Sequence, residues 1–453
     1  MTDNATQFDA FLQTNLDKYI GETAQLCAQP SVSAKNDGVR ECADLVAQVL
    51  ESHGLRVHTF PTPGNPIIVG HVDGESARTL MFYNHYDVQP PEPLELWTTP
   101  PFQPTIRDGA LFARGAKDDK GEFVARLASM DAVRAVHSGK LPCGITFILE
   151  GEEEIGSPHI AQFVREHTDL LKCHAAIWEE GGINFEGHPG TALGRRGVLS
   201  VELAVRTLKF DAHSGAASML PNAAWRLVRV LASLKDADER ICIPGFYDQA
   251  RPPSPLDLKL CEALADREAW LRENFGVKEF VGGRKGKALN RAVFQPTCNI
   301  AGITTGYQGK GMKTVTPAHA SAKIDFRLVP DQDPDDIFAK LRAHLDAAGF
   351  ADVTVTWLGA MWPYKASADD PFIALTARAA EAVYQLPYEI EPLGGGSSPM
   401  YAFAAPLGGI PIVTAGVGYA DNRTHSPDEH VRFGDFLNAS RHIARIIDGF
   451  ADL

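Results

Sequence analysis

The sequence predicts an α/β protein in which a mostly parallel sheet is sandwiched by helices, with a two-layer α+β domain inserted into it. Two patterns lead to this prediction. Up to about residue 197 and again after about residue 361, short apolar strand patterns alternate with amphipathic helix patterns, as in a parallel sheet covered on both faces. Between these positions, apolar and polar residues alternate along the strands, which is typical of a sheet with one buried face. The length of 453 residues also exceeds what one compact core usually contains.

The first part of the outer domain is predicted to span residues 1–197. It opens with one amphipathic helix at 8–20 and a second at 39–50. Strand patterns follow at 56–60, 67–72, 80–84, 144–149 and 175–178, with helix patterns at 121–136 and up to about 167. In such sheets, functional residues collect where the parallel strands end.

The inserted domain is predicted to span residues 198–360. Its strand patterns lie at 201–205, 320–328 and 353–357, and its helix patterns at 222–234 and 337–345. The Pro-rich and charged stretch from 244 to about 291 fits neither pattern. Helices and strands alternate again in residues 361–453, which complete the outer domain and end with a strand at 410–414 and a loop carrying His425.

Composition excludes several classes of protein. With 44% hydrophobic and 22% charged residues and no apolar run of membrane-spanning length, the sequence does not indicate a disordered or membrane protein. The net charge of −14, without a basic stripe, argues against nucleic acid as a partner. The start of the chain lacks the features of a secretory signal, and the seven scattered cysteines form no Cys-x-x-Cys pair. We therefore expect a cytoplasmic protein with reduced cysteines and no cysteine metal site.

The most informative motif closes the strand pattern at 80–84. His85 and Asp87 follow this strand, and because strand side chains alternate, both emerge on the same side. A carboxylate beside a metal-binding imidazole orients the ring. A single histidine at a strand end also fits a packing or capping residue, so the interpretation depends on the motifs that accompany it.

Three acidic clusters accompany His85. Asp118 and Asp119 open a predicted helix, where one can cap the helix while the other reaches a metal. Glutamates follow two further strand patterns, at 152–154 and 179–180, where their mutual repulsion calls for a cation or protons unless the turns are fully solvated. Together with His425, these clusters at successive strand ends predict a two-metal hydrolase centre.

The residue types suit hydrolysis of an amide bond. Two divalent ions roughly 3.5 Å apart, bridged by a carboxylate, activate a water molecule and polarise the carbonyl, and a further glutamate carries the proton to the leaving amine. Nitrogen and oxygen ligands without thiolate predict zinc, with manganese or cobalt as substitutes. No Gly-rich phosphate-binding motif opens a helix, which argues against a nucleotide-dependent enzyme.

Over essentially its whole length, the chain resembles the dinuclear zinc metallopeptidase family that includes carnosine dipeptidase, aminoacylase, glutamate carboxypeptidase and acetylornithine deacetylase. The resemblance rests on the segments 85–90, 114–121, 150–154 and 425–426, and the segments 213–215, 313–317 and 326–330 look most like the cytosolic dipeptidase branch. It implies the zinc-peptidase fold for the outer domain and a lid and dimerisation role for the inserted domain.

The resemblance also implies a role for each matched residue. Asp118 would bridge both metals, with His85 and Glu180 completing one site and Glu154 and His425 the other. Glu153 would be the general base and then the acid, and Asp87 would orient His85. The residues implied to contact substrate are His213, reaching from the other subunit of a homodimer to the scissile carbonyl, and Arg327, Thr314, Gly396 and Ser397, holding the carboxylate end.

Local chemistry agrees with part of this substrate site. Arg327 lies on the polar side of its alternating strand, and a guanidinium fork suits a carboxylate. The Gly-rich loop at 395–397 either presents backbone donors to an anion or simply permits a tight turn.

Two departures from the dipeptidase pattern remain. Dipeptidases usually have aspartate where this chain has Glu179 and Glu180. Either glutamate can be the ligand, and Glu180 is preferred because a glycine follows it as in aminoacylases and carboxypeptidases. The segment 422–429 also differs. The predicted activity is hydrolysis of dipeptides or short peptides; the alternatives are deacylation of N-acyl amino acids and a non-catalytic binding protein, which is disfavoured because every candidate ligand and the base are present.

Overall fold

The computed structural model describes residues 2–453, with side chains from residue 4 onward. The chain forms two compact units. Unit 1 comprises the chain up to Leu193 together with Ala366–Glu391 and Ala402–Leu453, and unit 2 comprises Gly194–Lys365 and Pro392–Tyr401. Among the described residues, no helix has the length and apolar character needed to cross a membrane.

The helices and strands of residues 2–453 are as follows. The α-helices are α1 Thr2–Thr14, α2 Leu16–Ala28, α3 Val39–Ser52, α4 Lys120–Val136, α5 Ile160–Glu166, α6 Ala223–Leu234, α7 Pro255–Ala263, α8 Glu268–Phe275, α9 Pro334–Ala347, α10 Pro371–Tyr384, α11 Met400–Ala404 and α12 Phe433–Phe450. The strands are β1 Arg56–Phe60, β2 Ile67–Val72, β3 Thr79–His85, β4 Thr105–Arg107, β5 Ala110–Phe112, β6 Gly144–Glu150, β7 Ala175–Trp178, β8 Gly182–Ile183, β9 Pro189–Ala192, β10 Gly194–Arg195, β11 Gly197–Arg206, β12 Ala212–His213, β13 Thr297–Thr305, β14 Val315–Thr316, β15 His319–Leu328, β16 Thr354–Met361, β17 Tyr364–Lys365, β18 Glu389–Glu391, β19 Ile412–Thr414 and β20 His430–Arg432.

Unit 1 is built on a six-stranded sheet with the order β1-β2-β6-β3-β7-β19. The pairs β3–β6, β3–β7 and β7–β19 are parallel, whereas β1 and β2 are attached in antiparallel fashion at one side. The central strands read as continuous apolar runs because both faces of the sheet are covered, and β6 is buried along its whole length. The predicted mostly parallel sheet sandwiched by helices is confirmed.

Aromatic packing holds the central strands together beneath the site. Tyr83 of β3 stacks on Trp178 of β7 with ring centroids 3.9 Å apart, and Phe82 lies 4.9 Å from Phe147 of β6. The register pairs His85 with Glu150, so β3 and β6 end side by side. Polar side chains that follow β3, β6 and β7 therefore meet at one edge of the sheet.

The first predicted helix is divided in the structure. The expected single helix at 8–20 is two helices, α1 and α2, separated at Asn15. The Asn15 side-chain amide donates to the Phe11 carbonyl at 2.8 Å, which is a local hydrogen bond that competes with a continuous helix.

Unit 2 contains the predicted two-layer arrangement. Its antiparallel sheet has the order β13-β15-β11-β16, and residues of β11 alternate between buried and half-buried along the strand. Helices α6 and α9 pack on the buried face, where Leu227, Val230, Leu341 and Leu345 join the strand side chains in one apolar core. The alternation of apolar and polar residues in the sequence thus corresponds to a sheet with one covered face.

The stretch that the sequence left unassigned forms a small helical subdomain of unit 2. It contains α7, α8 and a 3₁₀ segment at Gly286–Phe294. Ser254 caps α7 through a reciprocal capping box with Asp257. Its small apolar cluster joins Cys261 and Phe294 to Leu393. The subdomain therefore packs directly against the start of the segment 392–401.

Segment 392–401 groups with unit 2, although the sequence-based boundaries assign it to the outer domain. Arg195 forms a bridge with Gly394, and the Gly394 amide donates to the Gly194 carbonyl at 2.9 Å. These backbone contacts fix the glycine-rich loop to the strands of unit 2. The boundaries of unit 2, at 194 and 365, differ from the predicted 198 and 360 by a few residues.

Candidate metal centre and substrate-binding residues

His85 is held at the end of β3 by one ring nitrogen, and its other ring nitrogen faces the carboxylate of Asp118. Its Nδ1 lies 2.9 Å from the backbone carbonyl of Asp87. Because a carbonyl only accepts hydrogen bonds, Nδ1 carries a proton, and Nε2 is the nitrogen that faces Asp118 Oδ1, at 3.0 Å. The ring is buried, so its orientation is fixed by this contact.

The carboxylate of Asp87 mainly holds the turn that follows the neighbouring strand β6. This carboxylate is 3.5 Å from His85 Nδ1, but it accepts closer hydrogen bonds from the backbone amides of Glu153 and Glu154, at 3.2 and 3.1 Å. These bonds hold the 3₁₀ turn Glu153–Ile155, which follows β6. Asp87 therefore couples the position of His85 to that of the two glutamates.

The carboxylate of Asp118 lies between two imidazoles. Its Oδ1 is 3.0 Å from His85 Nε2, and its Oδ2 is 3.0 Å from His425 Nε2. Burial acts to raise the pKa of Asp118, but Lys117 and the two imidazoles outweigh it and hold the pKa well below its usual range. The residue thus presents an ionised carboxylate with one oxygen to each histidine.

Asp119 has a different function from the helix cap that the sequence allowed. It occupies the N-cap position of α4 but makes no side-chain cap hydrogen bond. Its Oδ2 instead accepts from Asn84 Nδ2 at 2.6 Å and from the His85 amide at 3.1 Å. Asp119 therefore supports the end of β3, and Asp118 alone of the pair faces the imidazoles.

Glu154 completes a compact group with His85 and Asp118, whose ligand atoms all lie within 4.8 Å of one another. Its Oε1 is 3.2 Å from His425 Nε2, and its Oε2 accepts from Gln89 Nε2 at 2.8 Å. Oε1 is buried without a hydrogen-bond partner. A buried acceptor left unpaired in this way fits a position beside a bound cation.

The structure brings Glu179, and not Glu180, to the centre. Glu179 is buried, its Oε1 accepts from Trp178 Nε1 at 3.1 Å, and its Oε2 lies 3.9 Å from His85 Nε2 without a hydrogen-bond partner. Glu180 is exposed, has a φ of 71°, and contributes to the electrostatic environment of Lys117. The preference for Glu180 based on the following glycine therefore disagrees with the geometry.

Glu153 has the environment of a proton carrier. Burial raises its pKa to about 7, with the carboxylates of Glu154, Asp118 and Asp87 acting in the same direction and His85 opposing them. A carboxyl group with a pKa near neutral pH can both accept and return a proton.

Residues of unit 2 assigned to substrate by resemblance form two local groups. His213 is exposed, its Nδ1 accepts from the Gly215 amide at 3.0 Å, and its Nε2 lies 3.4 Å from Thr314 Oγ1. Arg327 Nη1 donates to Ser397 Oγ at 2.7 Å.

A second guanidinium reinforces the positive charge beside Arg327. Arg196 Nη2 donates to the carbonyls of Gln295 and Arg327, and burial together with the Arg327 charge lowers the pKa of Arg196 to about 10. The glycines of the neighbouring loop do not have positive φ, and a Cβ at Gly395 or Gly396 would meet nothing within 4 Å. A tight turn therefore does not explain them.

Sequence reasoning missed Glu429. This carboxylate is fully buried and accepts hydrogen bonds from the loop that carries Asp118. Its position four residues after His425 was the available signal, because an acid in a loop next to a candidate ligand is a frequent supporting residue.

Comparison with known proteins identifies the family of this chain. Residues 81–449 match the model of peptidase family M20/M25/M40, a range that contains all the residues of the candidate metal centre. The chain belongs to this family. The resemblance found in the motifs is confirmed, and the protein is a metallopeptidase of a family in which a dinuclear centre is typical.

Three similar proteins that are named as peptidases cover nearly the whole chain. The chain is 27% identical over 437 residues to "Beta-Ala-His dipeptidase" of Rattus norvegicus, covering 93% of this chain and 86% of the relative. It is 25% identical to a "Cys-Gly metallodipeptidase" of Schizosaccharomyces pombe, with 93% of each chain covered. A solved M20 family metallo-carboxypeptidase from Sulfolobus solfataricus superposes with a TM-score of 0.88 and 32% identity, covering 96% of this chain and 99% of that one.

Proposed function

We propose that this M20-family metallopeptidase hydrolyses dipeptides or short peptides at a centre of two divalent metal ions. The observation that carries the proposal is the placement of Asp118, whose two oxygens each face a different imidazole at 3.0 Å. A carboxylate shared between two nitrogen ligands is the arrangement that a bridging ligand requires. Relatives named as dipeptidases support the substrate class.

The ligand set follows from the same distances. We assign His85 and Glu179 to one ion, His425 and Glu154 to the other, and Asp118 to both. The unpaired buried oxygens of Glu154 and Glu179 support this assignment, because each lies within 4 Å of the histidine in its own set. Glu180 is replaced by Glu179 in this proposal.

The donor set fits zinc best. It consists of imidazole nitrogens and carboxylate oxygens, and the described residues of the centre include no thiolate, so manganese and cobalt are the natural substitutes. When bound, the ions lower the pKa of a coordinated water and polarise the carbonyl of the scissile bond. The chain itself supplies the remaining functions.

Glu153 is proposed to take the proton of the attacking water and to return it to the leaving amine. Its pKa of about 7 supports both steps, because the carboxylate form is available as a base and the acid form is not strongly disfavoured. Asp87 orients this residue through the hydrogen bond to the Glu153 amide.

The groups in unit 2 are proposed to hold the substrate. Arg327 and Ser397, with Arg196 adding positive charge, suit the carboxylate end of a peptide. Thr314 and the exposed Gly396 lie in the segments that the family resemblance assigns to the same end. His213 is proposed to contact the scissile carbonyl of the neighbouring subunit. Its exposed ring, oriented by the Gly215 amide, supports a contact outside its own unit.

A homodimer is therefore part of the proposal. On unit 2, the edge strand β13 exposes Ile300 and Ile303, and the adjacent helix α6 exposes Trp225 and Val228. A bare strand edge beside apolar side chains is a surface that soluble proteins normally cover. We propose a second copy of the chain as the partner. The seven free cysteines, six of them buried, support a reducing compartment such as the cytoplasm.

A substrate panel with defined metal content tests the proposed function. The metal-free protein is reloaded with zinc, and hydrolysis of a free-amine dipeptide is compared with that of its N-acetyl counterpart. We expect two ions per chain and faster hydrolysis of the dipeptide. Preference for the N-acetyl compound would instead establish the deacylase alternative, and a protein that binds no metal would overturn the proposal.

A further inference from the structure

The carboxylate of Glu429 receives four hydrogen bonds from a single loop. Oε1 accepts from the amides of Lys117 and Asp118, both at 3.0 Å. Oε2 accepts from the Gly115 amide at 3.1 Å and from Arg114 Nη1 at 2.5 Å. Every donor lies in residues 114–118, which we call the Asp118 loop.

Glu429 also lies at the base of the loop that carries His425. Its own carbonyl accepts from the Ala113 amide at 3.1 Å, and the next residue, His430, pairs with Phe112 between β20 and β5. The backbone of Glu429 is thus anchored to the strand that leads into the Asp118 loop. The two loops that Glu429 joins carry Asp118 and His425, whose Oδ2 and Nε2 atoms lie 3.0 Å apart.

The site requires a carboxylate and does not accept an amide of the same shape. Two oxygens provide acceptors for all four donors, and the side chain has no donor of its own. In a glutamine, the NH₂ group would face two of these donors and leave them unpaired in a fully buried position. The charge of Glu429 is compensated by Arg114, which is itself buried and lies over the Trp97 ring at 5.5 Å.

We propose that Glu429 is a positioning residue for the metal centre, fixing the Asp118 loop against the His425 loop so that both side chains present their ligand atoms to the same ion. The inference rests on the proposed function, because it takes Asp118 and His425 as ligands. Residues that orient ligands through hydrogen bonds typically change metal affinity by about 10–100-fold when they are replaced.

The variant Glu429→Gln tests this role, with Asp428→Asn as a matched control. Asp428 is the adjacent buried acid, and its carboxylate accepts from the Thr98 amide at 2.9 Å and from Thr98 Oγ1 at 2.6 Å. The variant Asp428→Asn therefore removes a buried charge from the loop that carries His425 and does not change any contact of the Asp118 loop. Both variants are expected to lower the melting temperature of the metal-free protein.

Zinc affinity separates positioning from simple stabilisation. In zinc-buffered titrations of the full chain followed by calorimetry, we expect E429Q to weaken at least one of two binding steps by about 10–100-fold, while D428N binds as the wild type does. The zinc concentration for half-maximal peptidase activity should rise in parallel, with kcat largely recovered at saturating zinc.

The outcomes are distinguishable. Equal zinc affinity of E429Q and D428N would overturn the positioning role and leave Glu429 as a fold-stabilising residue only. A wild type without zinc binding would instead refute the proposed function. If E429Q does not fold, Glu429→Asp carries the same test, because its shorter carboxylate keeps the charge but cannot reach all four donors, and unchanged affinity in it would also overturn the inference.

Discussion

Asp118 and His425, which are far apart in the sequence, meet through a contact of 3.0 Å between Oδ2 and Nε2. Asp118 reaches this point from the loop before α4, and His425 from the loop before β20. The other oxygen of Asp118 faces His85. This placement predicts that one carboxylate determines the occupancy of both ions.

We therefore expect Asp118→Asn to reduce binding of both metal ions and to abolish activity. An amide loses the negative charge and one of the two acceptors that a bridging ligand provides. Metal analysis after equilibration at limiting zinc should give less than one ion per chain. Two ions bound with unchanged affinity would show that Asp118 does not bridge.

The adjacent glutamates provide a matched pair of variants. Glu179→Gln should weaken zinc binding strongly, because its Oε2 is buried near His85 and otherwise unpaired. Glu180→Gln should bind zinc within a few-fold of the wild type, because Glu180 is exposed whereas Glu179 is buried beside His85. The opposite ranking in zinc titrations would restore Glu180 as the ligand.

Glu153→Gln should separate proton transfer from metal binding. Loss of the proposed base is expected to lower kcat by about 10²–10⁴-fold, with two ions still bound. Glu152→Gln is the control, since Glu152 is buried beside Glu153 but is paired with His159 at 2.5 Å. Steady-state kinetics with parallel metal analysis checks both variants, and a kcat for E153Q near that of the wild type would remove Glu153 from the mechanism.

The environment of His53 predicts that the folded protein loses stability at alkaline pH. Burial opposes its protonation, but the hydrogen bond to Asp131 and the nearby carboxylate of Glu22, 3.4 Å from Nε2, dominate and raise its pKa to about 9. The pKa of His53 in the folded protein lies above its value of about 6.5 in the unfolded chain. The stabilisation by protonated His53 is therefore fully present below about pH 6.5 and is lost as the pH rises through about 9. At about 1.4 kcal/mol per pKa unit, the contribution is at most about 3 kcal/mol.

Urea unfolding between pH 6 and pH 9.5 measures this effect. The free energy of unfolding of the wild type should fall with pH more steeply than that of His53→Gln, in which no imidazolium lies between the helices α2 and α4. Lys18 and Arg134 also face this cluster and are present in both proteins, so their contribution is common to the two profiles. Parallel profiles for the two proteins would contradict the prediction.

Trp225→Glu should convert the proposed homodimer to monomers. Trp225 is 65% exposed on α6, and a charge there would oppose burial against a second copy. Trp270→Glu is the control, because Trp270 is also exposed on unit 2 but lies on α8, in the small helical subdomain. Analytical ultracentrifugation checks both; a wild-type monomer, or a W225E dimer as stable as W270E, would exclude this surface.

Much of the fold could be predicted because the spacing of apolar residues along a strand follows which of its faces are buried. Strand β6 is apolar throughout since both of its faces are covered, and β11 alternates since one face is. The division of the first helix at Asn15 and the subdomain between 244 and 291 could not be predicted in the same way. Both depend on local hydrogen bonds and capping, which leave little trace in apolar periodicity.

Acids and imidazoles follow successive strand patterns in the chain, and a parallel sheet must bring such strand ends to one edge, so the location of the centre was predictable. The sequence alone could not separate Glu179 from Glu180, because that choice depends on where the chain leaves β7 and turns through a left-handed φ. Nor could it identify Glu429, whose four donors lie in a loop distant in sequence. Tertiary structure decided both, since hydrogen bonds and burial between distant segments have no periodic signature in the chain.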